Sequence, residues 1–271
     1  MSHHSAAPLG NRIALVTGAG RPRGIGRGIA LALADAGADV VVTDIAPART
    51  DLEESAQLVR ERGRRSIPIV LDVTDGQAVN AAIEQVRDQF GTVDVLVNNA
   101  GTGLGAGPFL ELTDEDLATS WQVNVLGQVR MARAVIPGMT ELGRGSIVNV
   151  ASTMGLAAAG GYGGYVLAKH AVVGLTRLLA HEFGAQGVRT NAVAPGYIST
   201  DMGEAELELT SDRLGIDKQS ALDAMLSEIP LGRVGSPDDV GTAVAWLASE
   251  SAGFVNGTVV PVSGGQPAGL N

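Results

Sequence analysis

Short aliphatic runs recur along the chain, separated by stretches with helical periodicity, and this alternation constrains the fold more than any other feature. Residues 12–17, 39–43, 66–71, 94–97, 146–150, 188–193 and 258–262 read as strands, most of them built on short aliphatic runs without the in–out alternation of a half-solvated strand. Strands of that kind are buried on both faces, which calls for helices above and below and hence a parallel sheet. The stretches 25–36, 52–62, 77–90, 114–142, 162–183 and 237–249 supply those helices. The expected architecture is α/β: a doubly wound, Rossmann-like parallel sheet flanked by helices on both faces, with ligands beyond the carboxyl ends of the strands. Asp114 and Ser236 are the expected N-caps, Pro237 suits a first helical position, and Pro137 predicts a bend in the long 114–142 helix.

A chain of 271 residues can form one large α/β domain or two small ones. No Pro/Ser-rich linker or composition break divides it, so residues 11–271 are expected to form a single domain after a short flexible start at 1–10. The segment 201–228 is polar, acidic and weakly periodic, and reads as a partly helical excursion suited to a mobile substrate lid. Its Glu204, Glu206 and Glu208 read as a solvated face. The absence of cysteine excludes disulfides and thiolate chemistry. No apolar run is long enough to span a membrane and no signal peptide is visible, so a soluble, cytoplasmic setting without membrane partners is expected. The net charge of −10 argues against nucleic acid, whose phosphates need a basic surface, and against an acidic protein partner.

Chemistry concentrates around Tyr165. Lys169 lies four residues on, so the two share one face of a helix. An ammonium beside a phenol favours the phenolate and lowers its pKa, which an acid/base tyrosine needs near neutral pH. Ser152 closes the strand 146–150 and can face the same pocket, so that the three side chains hold a carbonyl oxygen and exchange a proton with it. Tyr162 has Val166 rather than a lysine four residues on and reads as a pocket wall. Gly-x-Ser-x-Gly is absent around Ser152, which disfavours a serine hydrolase. His170 and His181 offer no metal-ligand geometry, and no metal site is expected.

The first strand leads into Thr17-Gly-Ala-Gly-Arg-Pro-Arg-Gly-Ile-Gly26 and then a helix. Glycines there let the backbone approach a pyrophosphate at the helix N-terminus, where free N–H groups favour anions. Asp44 closes the second strand, where a carboxylate can accept from both ribose hydroxyls and repel a 2′-phosphate, favouring NAD. Arg21 and Arg23 can reach a 2′-phosphate, so NADP stays open.

With these residues in place, the chain resembles the short-chain dehydrogenase/reductase family, in its compact single-domain branch, from Ile13 to Gly265. The matching motifs are the glycine loop, Leu71-Asp-Val73, Asn98-Asn-Ala-Gly101, Asn124, Ser152, Tyr165-Val-Leu-Ala-Lys169 and Pro195-Gly-Tyr-Ile-Ser-Thr200. The resemblance implies that Gly18, Gly20, Arg23, Gly24, Ile25 and Gly26 form the phosphate loop. It implies that Asp72 and Val73 flank the adenine, and that Asn98, Ala100 and Gly101 shape the cofactor channel. Pro195, Gly196, Ile198 and Thr200 are implied to border the nicotinamide, with Ile198 and Thr200 on its carboxamide. Tyr165 is implied as acid/base, Lys169 as holder of the nicotinamide ribose, Ser152 as the group fixing the substrate oxygen, and Asn124 as holder of a water in a proton relay. The family's loop reads Thr-Gly-x-x-x-Gly-x-Gly; here five residues separate Gly18 from Gly24, and Gly20 restores the spacing with two residues in excess. Val262-Ser-Gly-Gly265 carries serine where the family often has aspartate.

Leu104, Thr153, Met154, Tyr162, Tyr197 and Met202 are the expected pocket residues, mostly apolar and without an arginine for an acid group. The expected reaction is hydride transfer between nicotinamide and an uncharged, moderately hydrophobic secondary alcohol or ketone. A 3-oxoacyl-carrier-protein-type ketoreductase is the alternative, and a non-catalytic NAD-binding scaffold a second. The resemblance also implies a homo-oligomer, a tetramer, assembled through helices 114–142 and 162–183.

Overall fold

The computed structural model describes residues 7–266. The first strand, β1 (Ile13–Thr17), leads into α1 (Ile25–Asp35), and the alternation continues through β2 (Asp39–Asp44), α2 (Arg49–Glu61), β3 (Pro68–Val70), α3 (Gly76–Gln89) and β4 (Val95–Asn98). The helices α4 (Asp114–Trp121) and α5 (Gly127–Glu141) precede β5 (Gly145–Val150), α6 (Gly163–Phe183) and β6 (Val188–Pro195). Helices α7 (Asp201–Leu214), α8 (Lys218–Ser227) and α9 (Pro237–Ala248) come before the last strand, β7 (Val259–Val262). The strands form one seven-stranded sheet in the order β3-β2-β1-β4-β5-β6-β7, parallel throughout.

Alternate residues of each strand feed two separate cores. Val16, Val40, Val42, Val97 and Val148 pack on one face with Ile29 and Leu33 of α1 and with Val244 and Leu247 of α9. Leu15, Val41, Leu96 and Ile147 pack on the other with Val79 of α3, Met131 and Val135 of α5, and Leu179 of α6. Burial on both faces explains the uninterrupted aliphatic runs. The order reverses at β1, which pairs with β2 on one side and β4 on the other. A crevice opens there beyond the carboxyl ends of the strands, where an open α/β sheet takes its ligand.

Several elements depart from the sequence reading. The long 114–142 helix is interrupted, but at a π-helical turn, Gln122–Leu126, rather than at Pro137, which lies within α5. Thr113, not Asp114, caps α4, because its hydroxyl accepts from the Asp116 N–H while the Asp116 carboxylate accepts from the Thr113 N–H. Ser236 caps α9 with Pro237 at the first turn, as its sequence suggests. The 201–228 segment is more regular than expected: Thr200 caps α7 and Asp217 caps α8. Of the 1–10 segment read as flexible, residues 1–6 lie outside the described residues, while Leu9 is 2 % exposed and its N–H donates to Ala36 O.

Candidate active site

The glycine loop folds by close backbone approach. Gly18 has φ +69°, in the left-handed region that a side chain disfavours. A Cβ on Gly26 would collide with the Gly18 carbonyl, so glycine at 26 lets α1 start directly against the end of β1. Gly24 caps α1 without any side-chain hydrogen bond, leaving the first-turn N–H groups facing outward as an anion site requires. The two-residue excess is accommodated as a bulge, with Arg21, Pro22 and Arg23 exposed while Gly24 and Gly26 keep their place at the helix start. The Gly20 N–H donates to Asp44 Oδ2 at 2.8 Å, and Asp44 Oδ1 accepts from the Ile45 N–H at 2.8 Å. Asp44 is therefore held by backbone at the edge of the loop, as a ribose-binding carboxylate would have to be.

Four side chains to which the motifs gave no role anchor this loop. Asn99 Nδ2 donates to both Thr17 O and Gly18 O at 2.9 Å, and Thr17 Oγ1 accepts from the N–H groups of Asn99 and Ala100. Arg27, 7 % exposed, donates through Nε to Ser55 Oγ and through Nη2 to Asp51 O. Ser55 in turn donates to Ala19 O at 2.7 Å. A charged residue inside the small, apolar stretch Ile25-Gly-Arg-Gly-Ile29 was the available signal for Arg27. Asn98 turns away from the crevice: it is fully buried and donates to Asn149 Oδ1 at 2.9 Å, on the α5–α6 side of the sheet. Asn99, rather than its neighbour, contacts the glycine loop.

Around Tyr165 the predicted residues converge. Ser152 follows β5, caps the 3-10 turn Thr153–Gly155 by accepting from the Met154 N–H, and stands close enough to the Tyr165 phenol to lower its pKa. A Cβ on Gly155 would clash with the Lys169 carbonyl, so that turn lies flush on α6 and brings the serine up to the tyrosine. Lys169, 4 % exposed, donates from Nζ to Val150 O at 2.9 Å and stands 5.4 Å from the Tyr165 ring centre. Asn124 sits in the π turn, fully buried; its Oδ1 accepts from the Thr102 N–H at 3.0 Å, and its Nδ2 donates to Thr102 O and Ser120 Oγ. Gly101 separates Asn124 from Lys169: a Cβ there would lie 2.9 Å from Asn124 Oδ1 and 3.7 Å from Lys169 Nζ. The π turn thus re-aims one polar side chain out of a packed helix, a common use of such turns.

The electrostatics correct one expectation. The Tyr165 phenol is pushed up to about 12, chiefly by desolvation of this half-buried side chain; the neighbouring Ser152 hydroxyl opposes the rise and the Glu206 carboxylate adds to it. Burial also pulls Lys169 down to about 8. Lys169 directs its hydrogen bond to Val150 O rather than to the phenol, so within the protein itself desolvation outweighs the expected lowering of the Tyr165 pKa.

The remaining residues line the rest of the crevice. Leu71 N–H donates to Asp44 O, which brings the end of β3 beside Asp44. Asp72 Oδ1 accepts from the Thr74 N–H and hydroxyl, while Val73 is buried against Gly127. Pro195 ends β6, Gly196 N–H donates to Val262 O, and Ile198 is buried with its backbone bridged to Gly235. Thr200 is the N-cap of α7. Glu204 and Glu208 are exposed, as a solvated face requires, yet each carboxylate of the run has a partner: Glu204 pairs with Arg23, Glu206 accepts from the Tyr162 hydroxyl at 2.9 Å, and Glu208 pairs with Lys218.

Known proteins share this arrangement. A family model described as enoyl-(acyl carrier protein) reductase matches residues 18–266. The oxidoreductase UcpA of Escherichia coli O157:H7 is 38% identical over 258 residues, 95% of each chain. The chain belongs to the short-chain dehydrogenase/reductase family. Its members include the 3-oxoacyl-[acyl-carrier-protein] reductase FabG of Haemophilus influenzae, 37% identical over 94% of this chain and 97% of that one. Levodione reductase matches with a TM-score of 0.89 and 34% identity, over 97% of this chain and 100% of the other. NAD⁺-bound xylitol dehydrogenase matches at TM-score 0.89 and 31% identity over 95% and 99% of the two chains. A variant of actinorhodin polyketide ketoreductase with NADPH matches at 0.89 and 35% over 94% and 97%. The chain is accordingly an oxidoreductase of a family whose structures carry NAD or NADPH. Among the described residues, no helix is long and apolar enough to cross a membrane.

Proposed function

We propose that this oxidoreductase interconverts an uncharged, moderately hydrophobic secondary alcohol and its ketone, with NAD as cofactor. The observation that carries the reading is the convergence of Ser152, Tyr165 and Lys169 at the carboxyl end of β5, on a turn that Gly155 presses against α6. The nicotinamide, when bound, supplies or accepts the hydride. The glycine loop and the uncapped start of α1 fit its pyrophosphate, and Asp44 fits an unphosphorylated ribose. Ile198 and Thr200, with Pro195 and Gly196 before them in the chain, would hold its carboxamide end.

Tyr165 exchanges the proton at the substrate oxygen, and Ser152 donates a hydrogen bond to that oxygen as negative charge develops on it. The raised phenol suits ketone reduction directly, because Tyr165 holds its proton at neutral pH. In the oxidative direction, Tyr165 must first lose that proton, and a positive charge on Lys169 favours the loss. Asn124, locked to Thr102 beside Gly101, keeps a polar wall next to Lys169, on the side from which a water can return a proton. Leu104 and Met202 are exposed at 64% and 51%, consistent with apolar rims awaiting a substrate. A soluble setting and a tetramer belong to the same proposal; Trp121 and Leu142 on α4–α5 and Leu167 and Leu178 on α6 are exposed apolar residues that assembly would cover.

A second reading, reduction of 3-oxoacyl groups on a carrier protein, draws support from the similarity to FabG. The net charge of −10 opposes docking of an acidic carrier. Oxidation of NADH and of NADPH over a panel of ketones and 3-oxoacyl thioesters tests both readings. Turnover of simple ketones with NADH supports the first, and turnover confined to carrier-bound thioesters replaces it with the second.

A further inference from the structure

Arg23 stands on the bulge that lengthens the glycine loop, one residue before the Gly24 cap of α1. Its guanidinium reaches α7: Nη1 donates to Glu204 Oε2 at 3.0 Å, Nη2 donates to Glu204 Oε1 at 2.9 Å, and Nε lies 3.8 Å from Asp201 Oδ1. A two-pronged guanidinium–carboxylate fork is the most directional ion pair available to side chains, and a second acid lies behind it. Its two ends belong to opposite banks of the crevice. Arg23 adjoins the helix start suited to phosphate, and Asp201 follows Thr200 on the nicotinamide side. A dinucleotide held at both ends spans the gap that this pair bridges.

We propose that Arg23 and Glu204 form a clasp that closes α7 over the bound dinucleotide and sets its release rate. This rests on the cofactor reading above and adds to it a role for the two-residue excess in the loop, which brings Arg23 within reach of Glu204. Both side chains are about half exposed, so opening costs little, as a gate for entry and exit requires. Helix α7 keeps other tethers when the clasp opens: Tyr197 donates to Gly203 O at 3.1 Å, and Tyr162 donates to Glu206 at 2.9 Å. Loss of the clasp therefore frees one edge of α7 without detaching the helix.

The competing role for Arg23 is a direct contact with the cofactor phosphates, and Glu204→Gln separates the two. In the full chain, NADH release is followed by its fluorescence as excess NAD⁺ displaces it, in wild type, Arg23→Gln, Glu204→Gln and the double variant. NADPH and NADP⁺ are used if wild type binds only those. Each single variant is expected to release the cofactor about threefold to fivefold faster at low salt, the scale of one well-formed exposed pair. The double variant is expected to be no faster than the faster single variant, and added salt to accelerate wild type alone. Unfolding midpoints matching wild type show that the variants are folded. Release from Glu204→Gln at the wild-type rate or slower overturns the clasp in favour of direct phosphate binding, and multiplied effects in the double variant overturn it too. A wild-type chain that binds neither NADH nor NADPH sinks the cofactor reading itself.

Discussion

The Tyr165 end of α6 and the paired helices α7 and α8 are held in opposite ways. Around Tyr165 the neighbouring polar groups are buried and anchored by backbone: Lys169 on Val150 O, Asn124 on the backbone N–H and C=O of Thr102, Ser152 on the Met154 N–H. Along α7 and α8 the ties are ion pairs between half-exposed side chains, Arg23 with Glu204 and Lys218 with Glu208. Buried groups cannot give up their partners without a large desolvation cost, whereas exposed pairs exchange theirs for water cheaply. The difference assigns precision to one bank and mobility to the other, and it can be broken from either side.

The largest effect is expected from Tyr165→Phe. Removing the hydroxyl at the buried centre should lower turnover by about 10²- to 10⁴-fold, with cofactor binding retained. Steady-state rates beside a cofactor titration check this, and near-wild-type turnover would sink the assignment of Tyr165 as acid/base. Gly26→Ala comes next: its methyl group meets the Gly18 carbonyl, so the loop must shift, at about 1–3 kcal/mol in a denaturant titration.

A third effect is a pH dependence of stability. Burial holds the Lys169 pKa at about 8, below its ordinary 10.5, so from pH 8 upward the unfolded chain binds a proton that the folded one has released. Stability should therefore rise between pH 8 and pH 10, by about 2 kcal/mol. Above pH 10 Tyr165 acts in the opposite sense, because its phenol keeps its proton up to about 12 in the folded state. Denaturant midpoints across pH 8–10 should lose that rise in Lys169→Met. The smallest effect belongs to the outer bank: Lys218→Gln should leave the denaturant midpoint and turnover unaltered, because its pair with Glu208 is exposed. A loss there would show that α8 is more than a lightly tethered cover.

The same contrast explains what the sequence made legible. Strands buried on both faces are mostly aliphatic, so β1, β2, β4 and β5 stood out, while β6, with Arg189, Thr190 and Asn191, was legible chiefly from its place in the alternation. The serine, tyrosine and lysine were legible because their spacing encodes a strand end and a helix face. The interruption at 122–126 was not, because a π turn leaves no composition of its own, while Pro137 advertised a bend. Asn98 and Asn99 are adjacent and identical, and only the alternation of a strand end decides which one meets the glycine loop. The exposure of the acidic run on α7 was legible but its partners were not, because charge spacing on a helix does not reveal what stands opposite; residues two apart point to roughly opposite sides, here Arg23 and Tyr162. The tyrosine–lysine argument failed in one respect, since a spacing shows proximity and not how deeply the hydroxyl is set.

The π turn at Gln122–Leu126 also bears on any attempt to make this protein more robust. Common stabilisation schemes regularise helices, and deleting one residue here would turn α4 and α5 into an uninterrupted rod with a better hydrogen-bond ladder. The same deletion would rotate one half of that rod against the other by roughly a quarter turn. Either Asn124 would lose Thr102, or Met131 and Val135 would leave the sheet. A sequence optimised for helical regularity in this stretch would improve by every local measure and still lose the proposed active site.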